Sequence, residues 1–456
     1  MLRKFYRLAI ALLVLASCVP QSPASHVISP PVTPAATRLS PDETSLKQDS
    51  AGTVTPTSVP PTSTLPAPPA VPSGTATPAP TVTLSPTFVL QAMGPDTFPA
   101  GVNPLTGLPV PDVKELYVAP VLVSITDSPL TTRPQAGLTF ASFVYEYYLG
   151  EGATRFLAVF YANPPTQMVN GKLESDSVKV GPIRSGRLPY ESLRKLYNGF
   201  LVFAGASDYV LSRLHNYLVV YGSQTIDINQ AFVSVKEMRQ LAGSGARKFD
   251  PTTMTGLRFD PQPPSGPLSG GKPANQLWIP YNLRAQILWR YDPASGYYNR
   301  YQDQDDGATF VKATDRLSGK TVESSNVIVM FADTHFYDLT TFSIDLMNIT
   351  KMEAVLLRDG KMYPIYWKTV VDDYSRKTGL LRPPRFVDAQ GNPVALKPGQ
   401  TWVEIVPRFT PYYESVISDN YLYKINNKQP GSGNWTVQFV APAPEYPDDL
   451  SSVPLP

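Results

Sequence analysis

Two arginines lie three positions apart in a stretch of small residues, VGPIRSGR, that runs from Val180 to Arg187. Glycine allows the backbone to approach another group closely, and Pro189, just beyond the stretch, can occupy the first position of a helix. The start of a helix presents unpaired N–H groups to an anion, and guanidinium groups bind oxyanions through paired hydrogen bonds. The stretch therefore predicts an anion-binding site at Arg184, Ser185 and Arg187.

A structural role for the same arginines is equally consistent with the sequence. Glu146 and Glu151 precede the stretch, and either carboxylate could form an ion pair with Arg184 or Arg187. Charged clusters of this kind support the fold about as often as they bind a ligand. The sequence alone leaves both interpretations open.

Four more charged residues fall at or near the ends of predicted elements. They are Asp127 after the apolar run 119–125, Glu146 within the β-rich run 143–149, Arg155 at the start of the run 155–161, and Asp208 after the capping Ser207. In an open α/β sheet, ligands bind beyond the carboxyl ends of the strands. A carboxylate within a buried strand needs a partner, and we expect Arg155 to pair with Glu146. The predicted ligand-binding set is Asp127, Glu146, Arg155, Arg184, Ser185, Arg187 and Asp208.

The alternative to binding is catalysis by paired carboxylates. Asp127, Glu146 and Glu151 are candidates for acid–base hydrolysis of an envelope glycan, in the manner of glycoside hydrolases. The sequence contains no phosphate-binding loop, no dinucleotide fingerprint and no evident nucleophilic triad. Only His215 and His335 are available to the folded part, which has no thiol, so we predict neither a metal site nor a cofactor. The sequence favours a non-catalytic role and assigns no catalytic residue.

The N-terminus has the order of a bacterial export signal. Arg3, Lys4 and Arg7 precede an apolar segment, 8–16, that is too short to span a bilayer and ends in Leu15-Ala16-Ser17-Cys18. This ending looks like a lipobox, in which the chain is cut before the cysteine and the new N-terminus is lipidated. Residues 1–18 are thus predicted to be a lipoprotein signal peptide, with Cys18 carrying a palmitate-type anchor in the cell membrane, outside the cytoplasm. The alternative is an ordinary secretory signal in which Cys18 is incidental.

Residues 19–98 form a predicted stalk. The segment is rich in proline, threonine, serine and alanine, and the 49 prolines of the chain are about twice the usual share. Apolar side chains are too sparse here to offset the entropy of ordering, so we expect disorder. The net charge of +2 implies no strong attraction to nucleic acid, and no such partner is expected. The expected partners are the membrane, through the lipid anchor, and an envelope polyanion or a protein.

The remainder of the chain is predicted to contain an α/β domain and a β-rich domain. In 99–246, apolar runs alternate with helical patterns, which predicts an open mixed sheet with helices. Residues 247–272 are rich in proline and glycine and are predicted to be a linker. In 273–412, turn signals separate short apolar runs, and Asp359-Gly360 predicts a hairpin. Residues 413–456 are expected to be an extension with a disordered end.

Several short motifs resemble, in their order along the chain, those of YerB-like bacterial lipoproteins. They are Asn103-Pro-Leu-Thr-Gly107, Ser128-Pro129, Arg133-Pro-Gln-Ala-Gly-Leu138, Val144-Tyr-Glu146, Glu151-Gly-Ala-Thr-Arg-Phe156, the arginine stretch, and Gly399-Gln-Thr-Trp-Val-Glu-Ile-Val-Pro407. The folded part of that family is a two-part domain of unknown function, and the resemblance covers nearly all of the chain after the stalk. Gly186 stands where the family usually has alanine. The resemblance implies a lipid-anchored envelope protein and supplies no reaction or catalytic residue.

The function predicted from the sequence is therefore that of a lipid-anchored, extracytoplasmic envelope protein. It is expected to act as a non-catalytic binding or scaffold protein that recognises an anionic envelope component or a protein partner. The alternative is an envelope glycan hydrolase that uses paired carboxylates.

Overall fold

The computed structural model describes residues 88–150, 152–221, 231–418 and 420–447 of the chain. Every described residue belongs to one compact unit. The predicted signal peptide, Cys18, most of the predicted stalk and Glu151 lie outside the described residues. None of the described helices combines the length and the apolar character that crossing a membrane requires.

Strands make up most of the regular structure in the described residues. The strands up to residue 234 are β1 (Val102–Asn103), β2 (Leu108–Pro109), β3 (Val121–Thr126), β4 (Phe143–Tyr148), β5 (Thr154–Phe160), β6 (Gln167–Val169), β7 (Lys172–Glu174), β8 (Lys179–Val180), β9 (Phe200–Phe203), β10 (Tyr217–Val219) and β11 (Val233–Ser234). The later strands are β12 (Arg258–Phe259), β13 (Lys272–Pro273), β14 (Gln276–Asn282), β15 (Ala285–Asp292), β16 (Tyr297–Asp303), β17 (Phe310–Lys312), β18 (Glu323–Ser324), β19 (Asn326–Ala332), β20 (Thr334–Phe336), β21 (Phe342–Ile344), β22 (Met352–Arg358), β23 (Lys361–Lys368), β24 (Arg385–Val387), β25 (Ala395–Leu396), β26 (Thr401–Pro407), β27 (Tyr412–Glu414) and β28 (Asn434–Val437).

Helices are few and short in the described residues. The α-helices are α1 (Pro189–Leu196), α2 (Asp208–Leu211), α3 (Val235–Gly243), α4 (Asp373–Thr378) and α5 (Tyr421–Asn426). Single 3-10 turns lie at Val113–Tyr117, Leu130–Thr132, Leu138–Phe140, Pro251–Met254 and Gly266–Leu268. The described chain is therefore strand-rich with few helices.

One large sheet runs through both predicted domains. Its strands lie in the order β10-β9-β3-β5-β4-β26-β19-β22-β23-β13, with β24 paired to β23. Strand β26 connects the two parts of this sheet: it comes late in the chain, yet it lies parallel to β4 on one side and to β19 on the other. The segments 99–246 and 273–412 are thus distinct in sequence but share a single sheet.

Both faces of the large sheet are buried, which explains the apolar runs in its strands. Every residue of β3, β5 and β19 is buried, as expected for strands that are covered on two sides. Successive residues alternate between two cores: Leu122 packs on the α1 side, and Val121 and Val123 pack on the other. A smaller sheet, in the order β17-β16-β15-β14-β28-β27 with β18 paired to β16, covers that second side. The described residues thus form three layers around two cores.

Local signals explain several element boundaries. Asp359 and Gly360 have φ of 52° and 69°, so the predicted hairpin between β22 and β23 is confirmed as a left-handed tight turn. Pro189 opens α1, as predicted. Helix α2 begins after Ser207, whose side chain accepts from Val210 N, and ends at Leu211. Helix α3 begins at Val235, because Ser234 and Glu237 form a capping box there.

Both ends of the folded region extend beyond their predicted limits. Met93, placed in the stalk by the sequence, is only 7% exposed and pairs through its backbone with Phe259. At the other end, β28 lies between β14 and β27 and buries Trp435. Isolated apolar residues among prolines and polar residues show no periodicity, so the sequence gives little sign that these segments pack.

Candidate functional site

The carboxyl ends of several strands of the large sheet meet at one edge. β3 is parallel to β9, and β4 is parallel to β26. Because β5 is antiparallel to both β3 and β4, those two strands also share a direction. Asp127 follows β3 at this edge, the loop 204–207 follows β9, and Arg155 lies near the start of β5. In open α/β sheets ligands bind at such an edge.

The predicted site residues divide between the two faces of the large sheet. Arg155 is in register with Tyr147, whereas Glu146 is in register with Phe156. Residues in register project to the same face, and successive residues project to opposite faces. Arg155 therefore lies on the α1 side and Glu146 on the side of the smaller sheet. The predicted ion pair between Glu146 and Arg155 is wrong, because the alternation of β4 and β5 separates the two side chains.

On the α1 side, Arg155, Arg184 and Arg187 form what we call the arginine cluster. Arg155 and Arg184 are 9% and 8% exposed, and Arg187 is half-buried. Arg155 Nη1 donates to the main-chain oxygen of Ser185 at 3.2 Å, which places its guanidinium beside the arginine stretch. Arg184 Nε lies 3.3 Å from the hydroxyl of Thr126 at the end of β3. Three residues predicted from the sequence are thus brought together.

The arginine cluster lacks matching negative charge at two of its members. The buried Nε atoms of Arg155 and Arg187 have no hydrogen-bond partner. Within the described residues, no carboxylate lies within 4.0 Å of either guanidinium. Burial lowers the pKa of Arg155 to about 10, and the charges of Arg187 and Arg184 act in the same direction. Arg155 stays protonated at neutral pH, so the cluster holds buried positive charge that an anion would stabilise.

A chain of hydroxyl groups fixes the floor of the arginine cluster. The Tyr190 hydroxyl, carried by α1, bonds to the Ser124 hydroxyl at 2.9 Å and also accepts from the Tyr147 hydroxyl. Ser124 Oγ donates in turn to the main-chain oxygen of Ser185 at 3.3 Å. That oxygen is the one that accepts from Arg155. The guanidinium is therefore positioned by groups on β3, β4 and α1 rather than by a flexible loop.

The arginine stretch is itself held against the loop after β9. The main-chain oxygen of Arg184 accepts from Ala204 N at 2.8 Å, and Gly186 N donates to Gly205 O at 2.8 Å. Asp208 lies just beyond this loop but is exposed, and no ion pair joins it to any described arginine. The structure therefore brings Ser185 to the cluster and leaves Asp208 outside it.

The N-terminus of α1 does not supply free N–H groups to the predicted anion-binding site. Pro189 has no N–H, and the N–H groups of Tyr190 and Glu191 donate to the carbonyl oxygens of Arg187 and Leu188, each at 3.1 Å. A tight first turn thus occupies the donors that the sequence suggested for an anion. Binding at this place depends on side chains.

On the other face of the sheet, Asp127, Glu146, Arg300 and Glu404 form what we call the buried charge network. Arg300 Nη2 lies 2.8 Å from both carboxylate oxygens of Glu146 and 4.0 Å from Asp127 Oδ2. Glu404 is in register with Glu146 on the neighbouring strand. The partner of Glu146 is thus Arg300 of β16, in the smaller sheet, and the network ties the two sheets together.

Burial governs the protonation of this network. It raises the pKa of Glu146 to about 7, although Arg300 opposes the shift, and it raises the pKa of Glu404 well above its usual range. Burial would lower the pKa of Arg300, but the carboxylates of Glu146 and Asp127 raise it above its ordinary value. Glu404, whose Oε1 accepts from the indole N–H of Trp289 at 2.8 Å, therefore holds a proton more readily than an ordinary glutamate does. This arrangement limits the net charge buried between the sheets.

A cleft of about 450 Å³ opens above the buried charge network, next to the end of β3. It is lined by Asp127, Ser128, Pro129, Leu130, Arg133, Gly152, Ala153, Thr154, Asn282, Leu283, Arg284, Ala285, Asp303 and Asp305. Glu146 is fully buried beneath it and does not line it. Asp127 is the only member of the network that reaches the cleft, where a ligand could contact it.

The carboxylate of Asp127 is held firmly in place. Its Oδ1 accepts from Gln302 Nε2 at 2.9 Å and lies 3.4 Å from Arg133 Nη2, and its Oδ2 accepts from the Thr154 hydroxyl at 3.0 Å. Arg133 Nη2 also lies 3.8 Å from Asp303 Oδ2. Among the described residues, no group of three or more metal-binding side chains is present. The cleft thus contains acidic and basic side chains that are held in fixed positions.

Several residues of these sites were missed from the sequence. They are Arg133, Arg300, Gln302 and Asp303. Arg300 and Gln302 occupy core-facing positions of β16, alternating with outward residues of the strand. A charged residue at the inward position of an alternating strand signals a buried partner, and this sign was available in the sequence. What the sequence did not show is that the partner lies in the other segment.

Comparison with known proteins gives consistent matches. The family model "Protein of unknown function (DUF3048) N-terminal domain" matches residues 105–242, and the C-terminal domain model of the same family matches residues 277–403. A relative from Bacillus subtilis (strain 168), named "Putative lipoprotein YerB", is 26% identical over 329 residues, which are 69% of this chain and 88% of the relative. The crystal structure of the YerB protein from Bacillus subtilis is 25% identical, with a TM-score of 0.50, and the match covers 67% of this chain and 96% of that chain.

Proposed function

Because this chain belongs to the YerB-like two-part family of DUF3048 domains, we propose that it is a lipid-anchored protein of the bacterial envelope that binds an anionic group through its arginine cluster. The role is non-catalytic, and the bound group belongs to an envelope polymer or to a protein partner. The uncompensated charge of Arg155 and Arg187 is the observation that carries this proposal.

The location rests on the N-terminal sequence and on the relative. The basic, apolar and small-residue segments end at Cys18, the only cysteine of the chain, and the relative bears the name of a lipoprotein. Replacing Cys18 by alanine should abolish lipid labelling and release the mature protein from membranes. A Cys18→Ala variant that partitions with membranes as the parent does would contradict the anchor.

The binding role rests on the chemistry of the arginine cluster. The buried Nε–H groups of Arg155 and Arg187 lack acceptors, which is unfavourable, and a bound oxyanion would supply both acceptors and the opposite charge. Ser185 and Arg187 are only half-buried, so a ligand can reach the cluster from solvent. A carboxylate or a phosphate group satisfies these requirements, and charge-assisted hydrogen bonds to such groups are among the stronger ones.

A double variant and a matched control test the binding role. The double variant, Arg155→Gln with Arg187→Gln, should reduce the affinity for inorganic phosphate and for poly(glycerol phosphate) by about tenfold or more. The same variant should keep its free energy of unfolding within about 1 kcal/mol, because no carboxylate loses its partner. Arg376→Gln on α4 is the matched control, since Arg376 is exposed and its ion-pair partner among the described residues is Asp373. Titration calorimetry and denaturation measure the two quantities.

Two results would separate the proposal from a structural role. If the double variant binds the probes as the parent does, the arginine cluster is not the anion site. If it unfolds far more readily than the parent, the arginines support the fold. The control should change neither property.

Hydrolysis of an envelope glycan is the second candidate function, and the cleft is the observation that favours it. Asp127 and Asp303 both line the cleft and both lie within 4.0 Å of Arg133 Nη2. Glu146 is too deeply buried to touch a substrate there. Release of reducing ends from glycan strands, lost in Asp127→Asn and Asp303→Asn, would support hydrolysis. No release by the parent protein leaves binding as the function.

A further inference from the structure

A second cavity continues the cleft. It has a volume of about 230 Å³ and is lined by Leu130, Arg133, Pro134, Gln302, Gln304, Val311, Lys312, Ala313 and Thr314. Leu130 and Arg133 line both cavities, so the two adjoin along the loop that carries these residues. We call the two cavities together the groove. Two adjoining cavities suit an extended ligand better than a single small molecule.

The groove is preformed by a network of hydrogen bonds. Arg133 stands between the cavities, and its Nε and Nη1 donate to the main-chain oxygens of Asp127 at 2.9 Å and Asp303 at 2.6 Å. The Asp303 carboxylate accepts from the N–H groups of Asp305 at 2.8 Å and Gln286 at 3.2 Å. Ligand sites that are formed before binding require little ordering when the ligand arrives.

The charges of the groove are balanced. Its lining contains the acidic residues Asp127, Asp303 and Asp305 and the basic residues Arg133, Arg284 and Lys312. Equal numbers of acidic and basic groups favour neither a polyanion nor a polycation. The arginine cluster on the opposite face has the reverse character, because its positive charge is not compensated. The groove therefore fits a neutral, polar ligand.

The exposed groups of the groove combine hydrogen-bonding side chains with small apolar surfaces. Asp305 and Arg284 are exposed, and neither side chain forms a hydrogen bond or an ion pair with a described residue. Leu130, Leu283 and Val311 are 37%, 54% and 43% exposed beside them. A sugar ring presents hydroxyl groups around its edge and C–H groups on its faces, which matches this mixture. A few placed polar groups on an apolar surface are typical of ligand sites.

We propose that the groove binds a neutral oligosaccharide strand, with sugar units in both cavities and Arg133 between them. Asp305, Arg284 and Lys312 contact hydroxyl or amide groups of the strand, and the exposed leucine and valine side chains contact ring faces. The inference does not rest on the proposed anion site, because no residue of the arginine cluster lines the groove.

The test uses the full mature chain and four probes: N-acetylglucosamine, its tetramer, cellotetraose and tetra-alanine. By titration calorimetry, a neutral tetrasaccharide should bind about tenfold more tightly than the single sugar, because only the longer strand reaches both cavities. Arg284→Ala, in the first cavity, and Lys312→Ala, in the second, should each weaken tetramer binding by about threefold or more. Both side chains are exposed, so the folded state should persist. Lys377→Ala on α4 is the matched control and should bind as the parent does.

Other outcomes overturn the proposal. Absence of saturable binding of either tetrasaccharide up to millimolar concentration would do so, as would equal affinity for the single sugar and the tetramer. Tighter binding of tetra-alanine would assign the groove to peptides. Loss of tetramer binding in the Arg155→Gln, Arg187→Gln double variant, with binding intact in Arg284→Ala, would place the sugar on the other face. One outcome supports the proposal: if the double variant loses phosphate binding but keeps tetramer binding, the groove and the arginine cluster are two separate sites.

Discussion

Replacing Glu146 with alanine should produce one of the largest losses of stability available in this protein. Arg300 has 1% side-chain exposure, and within the described part of the chain its side-chain hydrogen bonds go only to the two carboxylate oxygens of Glu146. Its Nε and Nη1 have no hydrogen-bond partner, so Glu146→Ala leaves a buried guanidinium without any hydrogen bond. Breaking a buried ion pair by removing one partner costs about 3–5 kcal/mol. Equilibrium denaturation at neutral pH measures this loss.

The opposite member of the pair should be easier to replace. Arg300→Met leaves Glu146 without its cation, but burial has already raised the pKa of this carboxyl to about 7, so it can take up a proton. Arg300→Met should therefore destabilise less than Glu146→Ala. The double variant should be more stable than the sum of the two losses indicates, with a coupling of about 2 kcal/mol. Glu353→Ala, which removes an exposed carboxylate from the same sheet, should change stability by less than about 0.5 kcal/mol.

The pH dependence gives an independent check. The folded-state pKa of Glu146 is raised, so the folded protein holds this proton more tightly than the unfolded chain does. The resulting stabilisation is present below the ordinary glutamate pKa of about 4.3 and is lost as the pH rises towards 7, by about 3 kcal/mol in all. Glu146→Gln removes that titration, so the stability of the parent relative to the variant should fall as the pH rises. A Glu146→Ala loss below about 1 kcal/mol, or a difference that does not vary with pH, would refute the assignment.

Three further predictions follow from other parts of the structure. Gly186→Ala should destabilise by about 1–3 kcal/mol, because a Cβ there would lie about 3 Å from the side chains beneath it; an unchanged unfolding midpoint would contradict this. Burial alone lowers the pKa of His335, but the hydrogen bond to Glu445 and nearby acidic charge outweigh it and raise this pKa above its usual value. The stabilising contact between His335 and Glu445 is therefore fully present below the usual histidine pKa and is lost as the pH rises through the raised pKa. Hydrogen exchange near Glu445 should then increase with pH beyond its intrinsic rate in the parent and not in His335→Gln. A chain that begins at Thr97 should melt below one that begins at Phe88, since it lacks a packed N-terminal segment; equal melting temperatures would show that this segment contributes nothing.

The strands of the large sheet could be predicted because their sequences carry the signal locally. β3, β5 and β19 are largely apolar runs, and turn residues such as Asp359-Gly360, between β22 and β23, mark the limits of other strands. Each of these signals depends on neighbours in sequence and on the burial of both faces. The gathering of Arg184, Ser185 and Arg187 was also predictable, since they lie within one short stretch.

The pairing of the charged residues could not be predicted in the same way. Glu146 and Arg300 are 154 positions apart, and their contact depends on the packing of two sheets that no local pattern specifies. Arg155 was predicted to pair with Glu146 because the two residues lie in neighbouring strands. The face of the sheet to which each side chain projects depends on the strand register, which the sequence does not specify. The groove likewise requires residues from both segments to meet.

The position of β26 in the large sheet determines the order in which the molecule can fold. The hydrogen bond between Trp402 and Glu146 joins residues 256 positions apart. The edge of β4 that pairs with β26 therefore stays open until β26 has been synthesised. Contacts of such separation slow folding, because a long loop must close before they form. During synthesis, the nascent chain exposes the open edges of β4 and β19, which can pair with other chains. A chain truncated before residue 401 should therefore expose the edges of β4 and β19 and aggregate more readily than the full chain.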